Sequence, residues 1–195
     1  MGLTNFAVLK SDFDEDLDKA QFSTAADYCL ATAQAKALDV VKTLQVTKGL
    51  QRPGTVLVGA DTIVEINGRV LEKPGNEAEA FDMVKALSGN WHTVHTGVVV
   101  FTNKDSIPLS GDVAPLVAAA SFVTSTRVKF LDLADEDIRA YVATRDGFDK
   151  AGGYGIQSIG GQLVERIDGC YFNVMGLPLS ALSATFMKLF KEGRL

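Results

Sequence analysis

Basic residues are in short supply in this chain of 195 residues: 19 Lys and Arg stand against 24 Asp and Glu, a formal charge of -5. That excludes a nucleic-acid binder working through a broad basic surface, though not a small cationic pocket for one phosphate group. Cysteine is scarce as well. Cys29 and Cys170 are the only two and lie far apart, which excludes a Cys-rich zinc site and a disulfide framework. Two packed thiols in a reducing, cytoplasmic setting are expected instead. No apolar run approaches the ~20 residues of a spanning helix, so no membrane partner is expected. The opening residues carry no basic region ahead of a long apolar run, and Phe6 stands where a myristoylation signal wants Ser or Thr. Histidine is equally sparse. His92 and His95 are three apart on a predicted strand, so they face opposite ways and cannot chelate one metal together. No Walker or dinucleotide fingerprint, Ser-His-Asp or Cys-His signal, repeat or low-complexity segment is present.

What is there suits one globular domain. Hydrophobic residues make up 47% and charged residues 22%, which rules out a disordered polar chain. A chain this long buries roughly 70% of its unfolded surface and needs no staple. A short strand is predicted over Asn5–Lys10, followed by an acidic loop, Ser11–Asp16. Thr24 with Asp27 opens a helix whose apolar positions run to about Thr43. Lys48–Gly54 reads as a loop. Thr55–Ala60 is a continuous apolar run, as expected of a strand buried on both faces. Asn67-Gly68 predicts a type I′ hairpin turn. Asn76 with Glu79 starts a second helix that stops at Gly89. Strands follow over Thr93–Phe101 and Ser121–Leu131, flanking a polar loop at Asn103–Leu116, and then a helix over Asp135–Val142. Leu163–Ile167 and Tyr171–Val174 read as a hairpin around Asp168-Gly169. Pro178 opens a C-terminal amphipathic helix. The sum is α/β: a mixed central sheet flanked by helices.

Three stretches could carry chemistry. Asp61 follows the apolar run directly, at a strand end where α/β sheets open their ligand crevices. It could hold a divalent cation or take a proton from water, or simply cap a turn. Lys73 lies between a strand and Pro74, where it could meet a phosphate as a point charge or be one more surface lysine. Asp149–Gln157 holds three glycines in four positions, at 152, 153 and 155, with Lys150 and Gln157 beside them. It could approach a ligand closely and read a base edge, or form a tight turn.

The order Gly59-Ala-Asp-Thr62, Glu72-Lys-Pro74, Leu87-Ser-Gly89 with His92 and Thr96-Gly97, Asp149-Lys-Ala-Gly152 with Gly155-Ile-Gln157, Asn173-Val174 and Gly176-Leu-Pro178 resembles the Maf family of nucleoside triphosphate pyrophosphatases. It is most similar to the dTTP/UTP branch, over nearly the whole chain. The resemblance implies a two-lobed α/β fold with a cleft, and hydrolysis of dTTP and UTP to monophosphate and pyrophosphate. It implies Asp61 as proton acceptor and, with Asp14, as ligand to Mg²⁺ or Mn²⁺. It implies Lys73 as a catalytic phosphate ligand, and Thr62, Gln157, Lys36 and Lys150 as substrate contacts. The implied partner is the nucleotide, with a homodimer allowed. Two departures stand out. The family opens with a strand, a Ser-x-Ser-Pro-Arg-Arg loop and a helix, and Met1-Gly2 falls where that helix has ended. Loss of that loop would weaken phosphate binding, and the alternative is an inactive relative that binds only nucleotide or a protein. Gln34 also stands where a cleft lysine is usual, and Lys36 points to another side of its helix.

Overall fold

The computed structural model describes residues 6–47, 54–103 and 116–195. Five strands form one sheet in the order β2-β1-β3-β4-β5: β1 (Val56–Ile66), β2 (Arg69–Leu71), β3 (Trp91–Thr102), β4 (Val117–Phe130) and β5 (Val164–Asp168). The helices are α1 (Ala25–Thr47), α2 (Glu77–Leu87), α3 (Asp135–Ala143), the single turn α4 (Tyr171–Val174) and α5 (Leu179–Lys191). A central sheet flanked by helices is what the sequence implies. Every pairing among the described residues is antiparallel rather than mixed.

Local signals set most of these elements. The Thr24 hydroxyl accepts from the Asp27 backbone N–H and donates to the Asp27 carboxylate, capping the start of α1. Asn67 and Gly68 both have positive φ, 52° and 74°, as a type I′ turn demands, and β2 folds back on Val64–Ile66. Asn76 caps α2 through the Glu79 N–H.

The sheet has two differently covered faces. On the first lies α1, with Ala37, Val41 and Leu44 against Val99 and Phe101. It packs close because Gly59 and Gly97 lack side chains. A Cβ on Gly97 would stand 2.8 Å from the Leu30 Cα, and one on Gly59 would stand 2.6 Å from the Ala37 Cβ. On the second face are two groups. At one end α2, α3 and Tyr154 enclose Val64, Val94, Val128 and Phe130. At the other, Leu182 and Leu189 of α5 cover Val98 and Val100. A cleft opens between them.

Three expectations are corrected. Phe6–Lys10 forms no strand; Phe6, Val8 and Leu9 are exposed and pair with no described strand. β1 is not buried on both faces. β2 covers only Val64–Ile66, and Val56 and Val58 stay 40% and 38% exposed because α5 sits over β3 instead. The chain after Asp168-Gly169 does not return as a strand. β5 pairs with β4, and Tyr171–Val174 turns into α4, drawn in by the fully buried Asn173. The predicted loops over Lys48–Pro53 and residues 104–115, and Asn5, lie outside the described residues.

Candidate active site

Asp61 lies on β1, whose Val56–Ile63 has no described strand partner on the side away from β3. Its side chain points to the α1 face, and its neighbour Thr62 to the other. A cleft of about 450 Å³ therefore meets both faces at this edge, with Asp61, Thr62, Lys73, Lys150, Tyr154 and Gln157 among its walls.

Asp61 is nearly buried, and Lys36 Nζ donates to its Oδ1 at 2.6 Å. The same ammonium reaches Glu15 Oε1 at 2.7 Å, and Lys73 Nζ approaches that oxygen at 3.5 Å. Burial pushes the Asp61 carboxyl above the ordinary range, and Lys36 offsets this only in part. Burial also opposes the charge on Glu15, but Lys36 and Lys73 outweigh it and hold that carboxyl low. For Lys36 burial works downward, and the two carboxylates more than reverse it. Behind Asp61, the buried Cys29 thiol donates to its backbone carbonyl, and burial lifts that thiol to about 12. It is a packed, inert group.

The far wall is the glycine-rich segment. Gly152 and Gly153 take φ of 71° and 74°, and the Gly152 N–H bonds the Glu72 carbonyl, tying the loop to the end of β2. Lys150 pairs with Asp149, and Gln157 is exposed at the rim. Tyr154 anchors the segment from beneath: its hydroxyl meets His92 Nε2 at 2.8 Å, and the rings of His92, Phe130 and Tyr154 pack edge to face. Burial pushes His92 down to about 4, so it stays neutral. His95 faces the opposite way, toward Ser125 and Glu65.

Asp61, Lys73, Thr62, Gln157, Lys36 and Lys150 thus gather at one cleft edge. Asp14 does not join them. It is exposed, and its neighbour Glu15 turns inward, held at φ 21°. A run of four acids in five positions, Asp12–Asp16, gives no hint which one meets two lysines. The deficit expected from Gln34 does not arise at Asp61. The α1 face that meets β1 carries Cys29, Ala33, Lys36 and Ala37, so Lys36 supplies the charge from that side.

A family model described as Maf-like protein matches residues 1–189. The chain belongs to the Maf-like family. Among similar proteins, the Maf-like chain is 42% identical over 189 residues to a human protein named "Probable bifunctional dTTP/UTP pyrophosphatase/methyltransferase protein". That match takes 97% of this chain but 29% of the human protein's length. It is 40% identical over 179 residues to a dTTP/UTP pyrophosphatase of Clostridium botulinum (strain Eklund 17B / Type B), covering 91% of this chain and 85% of the relative. A dTTP/UTP pyrophosphatase of Clostridium novyi (strain NT) is 39% identical over 186 residues, covering 94% and 86%. No described helix is long and apolar enough to cross a membrane.

Proposed function

We propose that this Maf-like protein is a nucleoside triphosphate pyrophosphatase that hydrolyses dTTP and UTP to the monophosphate and pyrophosphate. The observation that carries the reading is a nearly buried carboxylate, Asp61, paired with the Lys36 ammonium at the mouth of a nucleotide-sized cleft. Relatives named dTTP/UTP pyrophosphatase at about 40% identity over most of the chain supply the substrate class.

The residues suggest the division of labour. Asp61 accepts a proton from a water held against the α-phosphorus. The water oxygen bonds to that phosphorus as the bond to the bridging oxygen breaks, and pyrophosphate leaves. Lys73 and Lys150, both lining the cleft, take up charge on the phosphates. Thr62 and Gln157 face the base. Two carboxylates meeting at one ammonium, Asp61 and Glu15, form an all-oxygen donor pair of the kind Mg²⁺ or Mn²⁺ accepts. Such a cation would neutralise phosphate charge there, with water and phosphate oxygens completing its shell. Among the described residues no group of three His, Cys, Asp or Glu side chains converges. Two free thiols fit a cytoplasmic setting. A homodimer is proposed on the resemblance alone, and light scattering tests it.

The test is pyrophosphate release from dTTP and UTP, with Mg²⁺ or Mn²⁺, by wild type and Asp61→Asn. The expected loss in the variant is about 10²–10⁴-fold in kcat. A folded wild type that releases no pyrophosphate sinks the reading, and an active Asp61→Asn removes Asp61 as the base.

A further inference from the structure

We infer that Thr96, which lies beneath the cleft floor, is a positioning residue for base recognition. It fixes the Thr62 hydroxyl as a hydrogen-bond acceptor toward the cleft. That point of the cleft then takes a donor from the base, the imide N3–H of uracil or thymine. The inference rests on the pyrimidine reading above.

The polarity follows from counting hydrogens. Thr96 is fully buried, and its Oγ lies 3.0 Å from the backbone carbonyl of Asn173. A carbonyl oxygen only accepts, so the single Thr96 hydroxyl hydrogen goes there. Thr62 stands opposite Thr96 in the β1–β3 register, and the two Oγ atoms are 3.0 Å apart. With its hydrogen committed, Thr96 can only accept, so Thr62 donates. Thr62 then has no hydrogen left for a ligand and presents lone pairs to the cleft it lines.

The carbonyl that sets this direction is itself held. The Gly176 N–H donates to it at 2.9 Å. The buried Asn173 side chain donates through Nδ2 to the Val94 carbonyl at 2.9 Å and to Thr126 Oγ at 3.1 Å, locking α4 onto β3 and β4. Reversing the chain would turn the Thr96 hydrogen toward Thr62 and give up its hydrogen bond to the Asn173 carbonyl in a buried site.

At ring position 3, uracil and thymine carry N–H, whereas cytosine carries a lone pair. An acceptor with no hydrogen to turn suits the first two and repels the third. Gln157, across the cleft, offers both donors and an acceptor and makes no such distinction by itself.

The test compares kcat/KM for UTP, CTP and N3-methyl-UTP in wild type, Thr96→Val, Thr96→Ser, Thr62→Val and the double valine variant, each checked for folding by its melting curve. Valine keeps the volume near that of threonine but frees the Thr62 hydroxyl to rotate and donate. The UTP-to-CTP preference is expected to fall about tenfold in Thr96→Val. It should stay near the wild-type value in Thr96→Ser, and the double variant should discriminate no worse than Thr62→Val alone. Wild type should handle N3-methyl-UTP poorly. An unchanged ratio in a folded, active Thr96→Val overturns the relay alone, as does a serine variant that fails like valine. Should Thr96→Val not fold, wild type accepting N3-methyl-UTP as readily as UTP still overturns it. A wild type that hydrolyses neither UTP nor dTTP overturns the pyrophosphatase reading, and this one with it.

Discussion

Lys36 is the side chain on which the charge balance of the cleft turns. Asp61 is already pushed upward by burial, and Lys36 is the contact that opposes it. Lys36→Met therefore raises that carboxyl further. A base must be deprotonated to act, so the acid limb of the kcat/KM profile should move to higher pH in the variant. An unchanged limb would mean that Asp61 does not govern it. A second residue-scale prediction concerns His92. Its folded value is about 4 against 6.5 for the free side chain. The unfolded chain therefore binds the proton first. The contribution is fully present above about pH 6.5 and is lost as pH falls toward 4, by about 3 kcal/mol in all. Urea midpoints at pH 7.5 and pH 4.5 should show this loss in wild type, and His92→Gln should reduce it. Much of this site was legible as residue types: Lys73 and the glycine-rich segment announce themselves by position after a strand and at a turn, whereas Asp61, expected at a strand end, lies midway along β1. What was not legible was which neighbour turns inward. Glu15 rather than Asp14, and Lys36 rather than position 34, are chosen by how α1 and the acidic loop lie on β1, which no spacing rule encodes.

Elements succeeded or failed in the sequence according to where their information lies. The Thr24 cap of α1, the Asn67-Gly68 turn and the Asn76 cap are local chemistry and were readable. Tyr171–Val174 was not: four residues cannot separate period 2 from period 3.6, and the choice is made by Asn173 bonding across to Val94 and Thr126. Phe6–Lys10 shows the reverse case, a strand-like sequence that pairs with no described strand. The close seat of α1 makes a prediction at this scale. Gly97→Ala would place a methyl within 2.9 Å of the Cys29 carbonyl and force the helix outward. It should cost about 1–3 kcal/mol of stability. Because the same helix carries Lys36, activity should fall with it. A variant as stable and active as wild type would show that the helix position is not limiting.

The molecule as a whole is an acidic body that concentrates a few lysines at one edge of its sheet. The cleft draws its walls from β1, the end of β2, the glycine-rich segment and the α4–α5 junction, so a ligand there bridges both groups of helices on the second face. A non-hydrolysable α,β-imido UTP analogue at 100 times its Kd should stabilise the fold by about 2.7 kcal/mol, raising the melting temperature by about 5–10 °C. No shift at saturating analogue would place nucleotide binding elsewhere. The central claim is that water, relieved of its proton by Asp61, attacks the α-phosphorus. Hydrolysis of UTP in H₂¹⁸O, with the products resolved by mass spectrometry, tests it most directly. The account predicts one ¹⁸O in UMP and none in pyrophosphate. Label in the pyrophosphate, or release of UDP and inorganic phosphate, would contradict it.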